Sequence, residues 1–212
     1  MSLLIRLLAI ALLLGTALLG VGAAVHPMLA GDAAAQLRTI AAMPHWRTLH
    51  LAMLAGSGLV IAGIWVRIVD RAIISAPMLT ALALVALGIG INALNIAFMA
   101  GAGWHMAALF QGGESQMIPL FDATHPIGLM AARFGNFLVA LGALGLGWAE
   151  WHEPGRPRLL ALLAWLAAAG GVVGVVFFNE ASRLALAAVA LLSGWQIATA
   201  LLALSSTRAR AI

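Results

Sequence analysis

The sequence predicts an all-α, polytopic integral membrane protein, a helix bundle of six transmembrane helices forming one domain over residues 1–212, with no extramembrane domain. Three observations predict it. The 212-residue chain is 64% hydrophobic and only 8% charged, whereas a soluble domain is about 45–50% apolar and about 25% charged. Mean hydropathy is +1.07, the reverse of the balance that keeps chains disordered. Finally, six apolar runs stand out, at Leu3–Val25, Leu49–Val66, Pro77–Met99, Ile127–Trp148, Leu159–Phe178 and Leu184–Leu204. A span takes about 20 apolar residues, so six use roughly 120 positions and leave short loops. Backbone groups in lipid must be satisfied internally, which makes runs of this kind helices.

The first run carries Arg6, an apolar stretch and the small residues Gly22-Ala23-Ala24, and so imitates a secretory signal. Its apolar stretch, Leu7–Val25, exceeds the roughly 7–15 residues of a signal core, and it is expected to be a retained helix. In the 26–48 segment, Asp32 is placed to cap a short helix over Ala33–Met43, with Leu37, Ile40 and Ala41 on one face. That pattern suits a helix lying on the membrane surface. Pro77 opens the third run, where a missing N–H costs nothing. Ala100–Pro126, with Gly112-Gly113 and Pro119, is expected to be a partly irregular loop. Pro27, Pro44, Pro126, Pro154 and Pro157 all fall between runs.

All 11 basic residues are Arg, and Lys, Tyr and Cys are absent. Without Cys there are no disulfides, thiolate metal sites or thiol catalysis. The arginines are scattered singly around apolar runs, unlike the clustered footprint of a nucleic-acid partner. They read instead as topology signals. With the N-terminus in the cytoplasm, that side holds Arg6, Arg67, Arg71, Arg156, Arg158, Arg208 and Arg210; the other holds Arg38, Arg47 and Arg183. Seven against three predicts both termini cytoplasmic in a multi-pass protein, with the 26–48 and 100–126 segments outside. The Arg-rich, Lys-free composition suggests a bacterial source, and hence the inner membrane with a periplasm-facing outer side.

His26, His45, His50, His105 and His125 gather at that outer side, leaving only His152 inside. Met28, Met43, Met53, Met99, Met106, Met117 and Met130 do the same. Thioether and imidazole together suit copper, because soft sulfur selects Cu(I) and imidazole accepts either oxidation state. Candidate metal ligands are therefore His26, Met28, Met43, His45, His50, His105, Met106 and His125. Within the spans, His50, Met53 and Ser57 form one helical stripe, and Asn92, Asn95 and Met99 form another. Met130, Arg133 and Asn136 form a third, and the three stripes are expected to meet. Arg133 lies roughly 9 Å inside its helix end, deep enough to require a partner such as Glu180, Asp122 or an anionic cofactor group.

Two redox readings follow. One is a copper site on the outer His/Met set. The other is a single haem b ligated by His50 and either His125 or Met99, with Arg133 on a propionate and Asn92, Asn95 and Asn136 lining the pocket. A haem pair stacked across the membrane is excluded, because His152 alone cannot supply the inner ligands. Asp70, Glu150, Glu153 and Glu180 all stand at span ends, which disfavours ion-coupled transport. Gly56-Ser57-Gly58 imitates a nucleophile turn, yet Ser57 is roughly 10 Å along the helix from His50, beyond proton-transfer reach. A non-catalytic subunit or anchor of a larger membrane complex, alongside other membrane subunits or a periplasmic redox partner, fits the short loops and glycine faces equally well.

The stretch Ser182-Arg183-Leu184-Ala185-Leu186-Ala187-Ala188-Val189-Ala190-Leu191-Leu192 resembles a helix start in the CopD-type copper-resistance membrane proteins. His50 leading a Gly-containing helix is similar to that family too. The likeness covers two of the six helices and implies copper. The Trp-Gly-Gly element expected after the family's His is not reproduced, and no site residue is carried over.

Overall fold

The computed structural model describes residues 2–69, 74–153, 155–177 and 183–209. It is an all-α bundle: α1 (Ser2–Val25), α2 (Ala33–Ala42), α3 (Trp46–Gly63), α4 (Val66–Val69), α5 (Ala76–Phe98), a π-helical turn (Met99–Gly103), α6 (Trp104–Gln111), α7 (Met117–Trp151), α8 (Arg158–Phe177) and α9 (Arg183–Ala209). Five stretches are long and apolar enough to cross a membrane: α1, α3 with α4, α5 through α6, α7 and α9. Helix α8 is the shorter apolar one. Large apolar side chains such as Leu3, Leu14, Leu94, Leu144 and Leu166 face outward, as a lipid-embedded bundle requires. This is a multi-pass membrane protein.

The long helices pack in chain order into a closed ring. Helix α1 contacts α3, α3 contacts α5, α5 contacts α7, α7 contacts α8, α8 contacts α9, and α9 returns to α1. Glycines set the close contacts, as expected where association depends on van der Waals packing and lipid supplies no hydrophobic drive. A Cβ on Gly63 would lie 2.4 Å from the Leu12 backbone nitrogen, joining α1 to α3. A Cβ on Gly88 would lie 2.4 Å from the Gly135 carbonyl oxygen, joining α5 to α7. One end of the ring is filled by Leu12, Val60, Ile64, Leu82, Val85, Leu146 and Trp195. The other end is hollow.

A cap covers the hollow end. The Asp32 carboxylate accepts from the Ala35 N–H at 2.8 Å, so α2 starts where the sequence predicts, and Leu37 and Ile40 are fully buried. Helix α2 packs on α6 and α7, closing a second core with Trp46, Met99, Met106 and Phe121.

The 100–126 segment corrects the sequence reading. Instead of an irregular loop it holds the π turn, α6 and the first turns of α7, with only residues 112–116 as the connection. Gly113 takes φ 102°, where a side chain would be strained, so the Gly-Gly pair marks only the hairpin tip. Pro126 sits inside α7 without ending it. A proline removes one helical hydrogen bond, and burial of Phe121 and His125 on the preceding turns holds the helix through it. Asp70, Arg71, Pro154, Glu180 and Arg210 lie outside the described residues.

Candidate functional site: a histidine pair on an amide-lined cavity

A cavity of about 660 Å³ occupies the hollow end, lined from α1, α3, α5, α7 and α9. His26, at the end of α1, and His50, on the first turns of α3, meet at its wall with their Nε2 atoms 3.2 Å apart. Trp46, fully buried, packs against both rings at centroid distances of 4.8 and 4.4 Å. Its indole N–H donates to the Met99 carbonyl at 3.0 Å. That carbonyl belongs to the first residue of the π turn, where the helical ladder is loosened, so the irregularity in α5 anchors the side chain that orients both histidines.

The hydrogen bonds define the tautomers. His50 Nδ1 donates to the Trp46 carbonyl at 2.8 Å, which leaves Nε2 as a lone pair. His50 Nε2 is therefore the acceptor, and His26 Nε2 the donor, of the 3.2 Å hydrogen bond between the rings. A shift of the His26 proton to Nδ1 turns both Nε2 atoms into lone pairs facing one another. For His50 the backbone carbonyl behind the ring is the arrangement in which metal-bound imidazoles are oriented. Burial, with His50 beside it, pushes the His26 pKa from 6.5 down to about 4, so the ring is neutral at pH 7.

Nitrogen ligands bind first-row ions at about 2.0 Å, and at that length donors 3.2 Å apart subtend about 106°, near the tetrahedral angle. Met53, one turn along α3 from His50, reaches across to α1. A Cβ on Gly22 would meet its Cγ at 2.4 Å and its Sδ at 2.8 Å, so Gly22 makes the space that Met53 occupies one turn from His26. Met28 and Met99 also line the cavity.

The cavity brings together His26, Met28, His50, Asn92, Asn95, Met99, His125 and Asn136 from the residues singled out in the sequence. Asn92 Nδ2 donates to Asn136 Oδ1 at 2.8 Å, the interhelical bond that the stripes predict. His125 stands on the α7 wall between Phe98 and Phe121. Other expected ligands are elsewhere. His45 and His105 are exposed on the cap, Met106 is buried in the cap core, and Met43 packs at its edge. Among the described residues no three His, Cys, Asp or Glu side chains converge on one point.

Arg133 is half-buried and is not among the described lining residues, and Met130 on the same stripe is 61% exposed. Helix α7 turns Met130 and Arg133 away from the cavity and only Asn136 of this stripe toward it, because Gly135, against Gly88, takes the contact position. Glu180, an expected partner for Arg133, lies outside the described residues. Ser57 lines the cavity and donates to the Met53 carbonyl at 3.1 Å. No protein-family model, curated protein or solved structure matches this chain. The functional argument therefore rests on its own residues.

Sequence reasoning missed two features. Gln196 of α9 is 4% exposed, lines the cavity and accepts from Thr16 Oγ1 of α1 at 2.8 Å. Both residues sit singly in apolar runs, and only a search for polar residues on otherwise apolar faces would have found them. At the opposite end Arg67 donates to Glu150 and Thr199 and lies 4.2 Å over the Trp195 ring, all four side chains buried. Arg67 and Glu150 read as span-end charges in the sequence, yet both are only 3% exposed.

Proposed function

We propose that the protein binds copper on the His26–His50 pair, as a bacterial inner-membrane protein with the pair on the periplasmic side and both termini in the cytoplasm. The observation that carries this reading is the approach of two imidazole Nε2 atoms to 3.2 Å at the cavity wall, with His50 Nδ1 committed to the Trp46 carbonyl. Moving the His26 proton to Nδ1 frees both Nε2 atoms to ligate one cation. Thioethers of Met28, Met53 and Met99 line the same cavity and favour Cu(I) over harder ions. Seven arginines against three support the orientation.

A second reading, a single haem b on His50 with His125 or Met99, is supported by the size of the cavity and by the presence of all three residues on its wall. It lacks the propionate partner expected in Arg133. Metal analysis and the optical spectrum of protein purified from cells supplied with copper and haem separate the readings. Stoichiometric copper without a Soret band is expected. His26→Ala and His50→Ala should each remove most of it, while His152→Ala, at the other end, should leave it unchanged. A Soret band lost in His50→Ala moves the assignment to haem. Wild-type protein carrying neither overturns both and leaves a non-catalytic subunit of a larger membrane complex.

A further inference from the structure

A metal ion on the His26–His50 pair would fill only a corner of the 660 Å³ cavity, a volume of the size that encloses a small organic molecule. Thr16 precedes His26 by ten residues on α1, a rise of roughly 15 Å. The chamber therefore runs about that far from the imidazoles to the Gln196–Thr16 pair. Its walls are apolar apart from neutral groups, and no Arg, Lys, Asp or Glu stands among the described lining residues. An anionic ligand would have to leave water without a countercharge, which is costly at this depth.

Two of the lining amides present unengaged donors to the chamber. Gln196 Oε1 is taken by the Thr16 hydroxyl, so its Nε2 is left to donate, with no partner among the described residues. Asn136 Oδ1 is taken by Asn92, which leaves Asn136 Nδ2 in the same position. Neutral donors in an apolar, membrane-embedded chamber call for an uncharged, lipid-soluble molecule whose polar atoms accept.

We propose that this chamber binds a quinone, its ring carbonyls accepting hydrogen bonds from the Gln196 and Asn136 amides and its apolar body lying on Ile89, Val139 and Leu192. The inference uses the cavity of the preceding section and needs no metal.

The test is titration of the purified full-length protein in nanodiscs with decylubiquinone, followed by quenching of tryptophan fluorescence, on copper-loaded and copper-stripped samples. Saturable binding is expected in both. Gln196→Leu and Asn136→Leu should each weaken it roughly tenfold, the loss of one hydrogen bond. Val189→Trp, which fills the chamber from α9 and removes no polar group, should abolish it and serves as the test should a polar variant fail to fold. The copper-loaded and copper-stripped samples read loss of copper separately from loss of quinone binding, and His152→Ala, exposed at the other end, should remain within twofold of wild type. Absence of saturable binding overturns the inference. So does unchanged binding in the folded chamber variants, or palmitate competing as well as the quinone does.

Discussion

Trp46, His26 and His50 act as one unit, because the indole that packs on both imidazoles is tied to the π turn through the Met99 carbonyl. The protonation of His26 is linked to stability. With its pKa at about 4 in the fold and 6.5 when exposed, the unfolded chain binds a proton between those values that the folded chain refuses. Stability of the metal-free protein is therefore fully present above pH 6.5, falls as pH drops through the window to about 4, and levels off below it. Thermal unfolding in detergent should show a lower midpoint at pH 5 than at pH 7.5, and His26→Phe should flatten that dependence. Gly22→Ala tests the neighbouring thioether. Its Cβ would displace Met53, so copper affinity should fall by about tenfold while the bundle, yielding only a flexible side chain, loses no more than about 1–2 kcal/mol.

At the scale of helices, two glycines of α5 make a matched pair. Gly88→Ala pushes a Cβ to 2.4 Å from the Gly135 carbonyl and 2.8 Å from the Val139 nitrogen, both of them backbone atoms that cannot give way. It should cost about 2–3 kcal/mol and break the Asn92–Asn136 bond, one turn away. Gly90→Ala meets nothing within 4 Å and should be neutral or up to about 1 kcal/mol stabilising through helix propensity. Chemical denaturation in mixed micelles reads both. The asymmetry bears on what was legible in the sequence. Run lengths and the Asp32 cap were enough for the long apolar helices and for the existence and start of α2, because those depend on local composition. The stripes of α3 and α5 were read correctly because polar residues in lipid seek one another. On α7 only Asn136 of the Met130/Arg133/Asn136 stripe meets the other two, because the face that turns inward is chosen by the Gly88–Gly135 contact, a property of two helices together. The π turn and α6 were missed because Gly112-Gly113 and Pro119 read as marks of a loop over the whole of 100–126, whereas the Trp46 bond and the cap core hold Met99–Gln111 in helix.

Across the whole molecule the two ends of the ring are stabilised differently. The hollow end depends on neutral hydrogen bonds and the cap, and the filled end on the Arg67–Glu150 pair, which ties α4 and α7 to Thr199 of α9. Removing one member of a buried pair strands the other. Arg67→Met or Glu150→Leu alone should therefore cost about 3–5 kcal/mol, while the double variant Arg67→Met/Glu150→Leu should recover most of it. Denaturant titration of the three variants measures the coupling. A reporter fused after Arg210 should be active only in the cytoplasm, and periplasmic activity would reverse the proposed orientation.

The ring closes where the last long helix meets the first, at the Thr16–Gln196 bond. Synthesis runs from one to the other, so the two halves of the cavity come into being at different times. The imidazole pair needs α1, α3 and the π turn that anchors Trp46, and can assemble while α7 to α9 are still being made. The chamber floor waits for α9. On the proposed copper reading, a nascent protein takes up the ion early through an open side, and the final helix then shuts the door behind it. Chains truncated before α9 should keep copper and lose everything that depends on enclosure.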